Sequence, residues 1–184
     1  GDLQAQIAAC KSCEKELGDL FDRYGVETVL QYADHLQDYA EELTKSEIRK
    51  VPNGIYSFTD HIDGLGKDPQ PVVLNVKVIV EDETVIVDWE GTSKQVPGGI
   101  NPSFPFTKSC AYAALRSILD ADIPNCEGFS RPITVKAPLG SLLNPKFPAP
   151  CGARGITGYR MIDCLFGALS SAVPDNVTAD TTGG

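Results

Sequence analysis

The hydrophobic repeat of this chain changes character near residue 51, and that change limits the folds open to it. Before it, apolar residues recur at helical spacing. Leu3, Ile7, Cys10, Leu17, Leu20, Phe21 and Tyr24 make one stripe, with Gly25 placed to stop the helix. Val29, Leu36, Tyr39, Ala40, Leu43 and Ile48 make a second, closed by Val51-Pro52-Asn53-Gly54. Two long antiparallel helices over residues 1–51 are the expected arrangement. After it, β-branched residues alternate. Ile55 to Asp60, Val72 to Val80 and Thr84 to Trp89 read as strands, the last two joined by Glu81-Asp82-Glu83 as an antiparallel hairpin. Helical spacing returns from about Thr107 to Leu119 and from near Gly158 to Ala172, with an extended Ile133 to Ala137 between them. Four prolines make 138–150 irregular. The order predicts an α+β fold: an N-terminal helical pair, an antiparallel β hairpin or sheet, then helices with irregular Pro/Gly-rich loops over 52–184. A doubly wound sheet is not expected.

The 184 residues correspond to about one domain, and 42 % hydrophobic content is enough for a core. A net charge of −9 gives no basic nucleic-acid footprint, and with no acidic block it reads as a solubility feature. No apolar run is long enough to span a membrane and no signal peptide is visible. The six cysteines sit mostly in apolar or helical patterns and read as reduced thiols of a cytoplasmic protein. The chain opens without Met inside a helical pattern, and both ends read as cuts through a larger polypeptide.

Candidate sites are few. Asp88-Trp89-Glu90-Gly91-Thr92-Ser93-Lys94-Gln95-Val96-Pro97-Gly98-Gly99-Ile100-Asn101 ends a strand in a loop that offers hydroxyls, amides and close backbone approach. Thr92, Ser93, Gln95 and Asn101 are its candidate substrate-binding residues. Gly152 to Arg160 leads into the last helix, where Arg154 and Arg160 either cradle an anion or make structural ion pairs. Cys10 and Cys13 share a helix face without a second ligand pair, so they are expected to pack and not to bind zinc. Asp60-His61-Ile62-Asp63 has metal-ligand chemistry, but a polar turn held by Asx bonds is favoured. His35 belongs to a solvated helix face. No metal site is assigned, and no residue is placed as a nucleophile.

These segments carry a resemblance. Gly1-Asp2-Leu3-Gln4-Ala5-Gln6-Ile7-Ala8-Ala9, Tyr24-Gly25 and Arg49-x-x-Pro52-x-Gly54-x-Tyr56 resemble, in order, motifs of the hydantoinase B/5-oxoprolinase family. So do Asp88 to Asn101, Asp122-Ile123-Pro124, Gly128, Arg131-Pro132-Ile133 and Pro138-x-Gly140-Ser141-Leu142-Leu143-Asn144-Pro145. Ala153 to Arg160 resembles one branch's version of a later motif. One departure is Cys126, where the commonest family form has Asn.

The resemblance implies a fragment, the middle of a B-type subunit or domain. It implies an ATP-dependent hydrolase, of 5-oxoprolinase or N-methylhydantoinase type, that opens a lactam or hydantoin ring. An unstrained amide carbonyl is a poor electrophile, and phosphorylating its oxygen creates a leaving group while preorganised donors stabilise developing charge. It further implies an A-type partner subunit or domain that holds the nucleotide, a divalent metal bound upstream of this segment, and a multisubunit oligomer. The alternatives are the B-type component of an acetone- or acetophenone-type carboxylase and a non-catalytic segment docking the A component. The segment by itself is expected to hold no cofactor and to be inactive.

Overall fold

The computed structural model describes residues 1–119 and 122–181; the terminal Thr182-Gly183-Gly184 lie outside them. The elements in chain order are α1 (Asp2–Tyr24), α2 (Val26–Ile48), β1 (Gly54–Ile62), β2 (Val72–Glu81) and β3 (Thr84–Asp88). They continue with α3 (Phe104–Ile118), α4 (Glu127–Ser130), β4 (Ile133–Lys136) and α5 (Arg154–Leu169). The fold is α+β, as the change of period requires.

Strand order in the sheet is β1-β2-β3-β4. The β2–β3 pair is the expected hairpin, with Glu81 opposite Thr84 and Asp82 at φ 50° in the left-handed region. Asn53 clamps that turn: its Nδ2 donates to Asp82 Oδ1 at 3.0 Å and its Oδ1 accepts the Asp82 N–H at 2.9 Å. Arg49 pairs with Glu83 beside it. The end of α2 is thereby tied to the hairpin. The fourth strand departs from the purely antiparallel expectation, since β4 runs parallel to β3 after a crossover that contains α3.

Period-two alternation decides which face is covered. Val72, Leu74, Val76, Val78 and Val80 of β2, Val85 and Val87 of β3, and Ile133 and Val135 of β4 are all buried. Ala111, Ala114, Leu115 and Ile118 of α3 and Met161, Cys164, Leu165, Ala168 and Leu169 of α5 close over them. This is one helical layer on one sheet face, the arrangement that lets an alternating sheet bury its apolar side. Cys110 and Cys164 belong to this core, and burial pushes their thiols up to about 11 and about 12. Neither is an activated nucleophile.

The N-terminal helices behave differently. Gly25, at φ 83°, ends α1 and donates its N–H to Phe21 O at 2.8 Å, the stop read from the sequence. No residue of α1 is buried, and its apolar stripe of Leu3, Ile7, Leu17, Leu20 and Tyr24 is exposed. The expectation that Cys10 and Cys13 pack is therefore corrected, because both are exposed. Helical spacing places them on one face but supplies nothing for that face to meet. The second helix is held only through its later turns, where Ala40, Thr44, Glu47 and Ile48 are buried.

Part of that hold comes from α4, a short helix that periodicity does not reveal. Its Gly128 N–H donates to Gln37 Oε1 at 2.7 Å, and Arg131 pairs with Asp38 and Glu41 at 2.9 and 3.1 Å. Cys126 occupies the N-cap of α4 with extended backbone and makes no side-chain cap bond. The Asn of the commonest family form would cap this helix, because its side-chain oxygen accepts an N–H of the first turn. Cys126→Asn is expected to stabilise the protein by about 0.5–1 kcal/mol, the lower part of the N-cap range. Urea denaturation checks it, and a midpoint unchanged or lowered counts against the capping account.

Candidate functional site

The loop that follows β3 is built by its own polar groups. Trp89 is fully buried and its backbone N–H donates to Lys136 O at 3.0 Å, extending the β3–β4 pairing. The next residues turn onto the half of β2 that β3 does not reach. Thr92 Oγ1 bonds both the N–H and the carbonyl of Asn75 at 3.2 Å. Ser93 Oγ accepts the Val73 N–H at 2.9 Å, and the Ser93 N–H returns to Val73 O at 2.9 Å. Gly91, at φ 89°, brings the chain against Asn75, whose Nδ2 donates to Glu90 O at 2.7 Å. A side chain at 91 would be strained there.

Gln95 and Asn101 continue the pattern. Gln95 pairs with the backbone of Lys146 in both directions, donating from Nε2 at 3.2 Å and accepting at Oε1 at 2.7 Å. Asn101 is 0 % exposed. Its Oδ1 accepts the Val96 N–H at 2.9 Å, and its Nδ2 faces the carbonyls of Val96, Gly98 and Pro150 at 2.9, 2.8 and 2.9 Å. Each of these four candidates thus fixes backbone. A buried amide with its groups satisfied is a positioning device for two loops at once.

The Gly152 to Arg160 segment is mostly helix and not a preceding turn, since α5 begins at Arg154. Gly158 is admitted to the helix by packing: a Cβ there would lie 2.9 Å from the Phe106 ring. The loop after β3 and the start of α5 do meet. The Ala153 N–H donates to Gly99 O at 2.9 Å, and Thr157 Oγ1 donates to Ile100 O at 2.6 Å. Arg154 stacks over Phe106 at 5.4 Å and donates to Cys151 O.

Arg160 lies elsewhere in chemistry. Its guanidinium reaches Asp60 Oδ2 on β1 at 3.1 Å, Asp163 Oδ2 at 2.9 Å and Asp180 Oδ1 at 3.1 Å. It also donates to Thr181 O at 2.6 Å. The structural ion pair is thus the alternative that the geometry favours over an anion cradle. Burial, first of all, pushes the Asp163 carboxyl above the ordinary carboxylate range; the Thr181 hydroxyl, donating to its Oδ2 at 2.8 Å, pulls the other way. Hydrogen bonding with Asp163 and the nearby Arg160 hold the Asp180 carboxyl below that range. Sequence reasoning picks out Asp60 only as a turn or metal-ligand residue, and it misses Asp163 and Asp180. The spacing of Arg160 and Asp163, three residues apart on one helix, is the one local signal of this cluster.

Thr92 and Gln95 line one hollow and Arg160 another, while Ser93, Asn101 and Arg154 line neither. One, of about 510 Å³, is lined by Thr92, Lys94, Gln95, Leu139, Ser141 and Lys146 among others. The other, of about 430 Å³, is lined by His61, Asp63, Ile156 and Arg160 among others. His61 is on β1 and exposed, so Asp60 and His61 belong to a strand and not to the expected turn. Among the described residues no group of three His, Cys, Asp or Glu is arranged to hold a metal ion. No helix among them is long and apolar enough to cross a membrane.

Comparison with known proteins places this architecture. The family model for hydantoinase B/oxoprolinase matches residues 1–184. The B-type component of a putative D-/L-hydantoinase from Pseudomonas sp. (strain NS671) is 37 % identical over 97 % of this chain and 32 % of its own length. A 5-oxoprolinase of Saccharomyces cerevisiae is 32 % identical over 99 % of the chain and 14 % of its own length. The chain therefore spans about a third of the first and a seventh of the second. The crystal structure of ATP-dependent caprolactamase from Pseudomonas jessenii superposes with a TM-score of 0.88 at 31 % identity, over 97 % of this chain and 31 % of that one. On the match through all of its residues, the chain belongs to the hydantoinase B/oxoprolinase family.

Proposed function

We propose that this chain is part of the B component of an ATP-dependent hydrolase that opens a cyclic amide, a lactam or a hydantoin. The observation that carries the reading is the family match over residues 1–184, together with relatives named for hydantoins, 5-oxoproline and caprolactam. The component works with an A-type partner subunit or domain, within an oligomer and in the cytoplasm, where ATP is available.

The arginines at the start of α5 do not fit a bound nucleotide or its metal. A triphosphate needs uncompensated cationic and N–H donors, whereas Arg160 is ringed by three carboxylates and Arg154 is stacked on Phe106. The three carboxylates converge on a guanidinium, and no metal-ligand group of three forms among the described residues. ATP and a divalent metal belong, in this reading, to other parts of the full enzyme. Thr92, Ser93, Gln95, Asn101, Arg154 and Arg160 act here as positioning residues. Thr92, Ser93, Gln95 and Asn101 hold the loop from Gly91 to Asn101, Arg154 braces the start of α5 and Arg160 ties that helix to β1, the rigidity that a preorganised site requires.

The test is an assay of the full-length protein with its A-type partner on 5-oxoproline, hydantoin and caprolactam. Ring opening coupled to ATP hydrolysis, needing both components and absent from residues 1–184 alone, is the expected result. Turnover by residues 1–184 alone contradicts it, as does bicarbonate-dependent consumption of a ketone without opening of any cyclic amide.

A further inference from the structure

The stripe of α1 keeps a stricter period than a surface helix needs. Leu3, Ile7, Cys10, Glu14, Leu17, Phe21 and Tyr24 are spaced alternately by four and three residues. That is the repeat of a coiled-coil seam, held over about three heptads and about 32 Å of helix. Glu14, at its middle, is the one charged residue in it. No element among the described residues covers this seam along its length. Every residue of α1 is exposed except Gly18 and Phe21, which are half-buried in its last two turns. A helix draws most of its stability from packing such a face and not from propensity, so an unmet seam of this length calls for a partner.

Charge narrows what that partner is. Residues 1–48 hold eleven acidic side chains against four basic ones, Lys11, Lys15, Arg23 and Lys45. A second copy fits poorly. Two α1 helices in parallel register, or antiparallel about the middle of the seam, bring Glu14 against its own copy between apolar layers, with no cation to compensate. A basic helix fits instead. The positions flanking the seam are Gln4, Lys11 and Gly18 on one side and Gln6, Cys13 and Leu20 on the other. Separate coiled-coil chains select each other through charges at these positions, and here only Lys11 carries one. That composition suits packing within one polypeptide. The chain matches 32 % of the hydantoinase relative and 31 % of the caprolactamase chain, so about two thirds of such a polypeptide lies outside the match.

We propose that the α1 seam is covered by a helix of the same full-length polypeptide, outside residues 1–184, with apolar residues at heptad spacing and a Lys or Arg opposite Glu14. The pair of charges fixes the register of the two helices, as a single polar position in an apolar seam does. This packing depends on the length of the family's proteins and not on the reaction, so a failed ring-opening assay leaves it standing.

The test uses the full-length protein purified without its A-type partner, with its own cysteines as reporters. Alkylation by iodoacetamide is followed cysteine by cysteine by mass spectrometry. Cys10, in the seam, should react about a hundredfold more slowly in the native protein than in urea. Glu14→Lys should raise the native rate at Cys10 about tenfold, while Cys110 and Cys164 of the sheet core stay protected. Replacing the facing Lys or Arg, located in an experimental structure, with Glu should then restore protection. If Glu14→Lys also exposes the core cysteines, Glu14→Gln reads the same pairing, with a rise of about threefold. Cys10 reacting as fast in the native protein as in urea overturns the proposal, because the seam is then bare. Protection that appears only when the A-type partner is added overturns it too, as does protection lost on dilution, the sign of a second copy. A rate at Cys10 that Glu14→Gln and Glu14→Lys both leave unchanged equally counts against it.

Discussion

Replacing Arg160 with alanine is expected to destabilise the protein by about 3–5 kcal/mol, the range for removing one partner of a buried ion pair. The guanidinium side chain is 16 % exposed and joins β1 through Asp60, its own helix through Asp163, and the last described segment through Asp180 and Thr181. Without it the Asp163 carboxyl, already pushed up by burial, keeps the Thr181 hydroxyl and faces a second acid, Asp180, with no cation between them. The double variant Arg160→Ala/Asp163→Ala should recover part of the loss, because the orphaned charge leaves with its partner. Urea denaturation of the wild type, both single variants and the double variant closes the cycle. A loss of less than about 1 kcal/mol for Arg160→Ala would class the network with exposed surface pairs and sink this account.

Gly128→Ala should be comparably harmful for a different reason. A Cβ at Gly128 would lie 2.0 Å from the carbonyl oxygen of Gln37 and 3.0 Å from the Cβ of Ala40. The first is backbone in the middle of α2, so it cannot step aside as the tip of a side chain would. Either α4 withdraws, breaking the Gly128–Gln37 bond and the Arg131 pairs with Asp38 and Glu41, or α2 shifts on the body. The expected cost is about 3 kcal/mol, the upper part of the overpacking range. Faster proteolysis within α2 should accompany it. The matched control is Gly155→Ala on α5, where a Cβ meets nothing within 4 Å. That change should be neutral or stabilising by up to about 1 kcal/mol. If both variants lose stability alike, close approach at Gly128 is not the cause.

The alternation in Val72 to Val80 made the buried face of β2 legible, because a period of two leaves a strand no other way to hide valines. The helical stripes announced α1, α2, α3 and α5 for a similar reason, and Gly25 marked a stop that only a left-handed residue supplies easily. Element ends were read less well: α5 begins at Arg154, four residues before the expected start near Gly158. Its early glycines hide the helix from any reading by propensity, and the Phe106 ring that makes Gly158 useful is about fifty residues away in sequence.

The candidate site divides along the same line. Short motifs located Thr92, Ser93, Gln95 and Asn101, since polar residues clustered with glycines mark a loop that must be fixed. Their partners, the backbones of Asn75, Val73, Lys146 and Pro150, are set by strand register and loop closure, which no local pattern carries. The same holds for Arg160: its carboxylate at Asp60 is 100 residues distant. The sequence by itself determined the type of every element except the short α4, the buried face of the sheet and the family. Tertiary structure alone decided that α1 has no buried residue, that β4 runs parallel to β3, and that three aspartates gather on one arginine. Period and propensity act within a few residues, whereas each of these depends on which distant segments the folded core brings together.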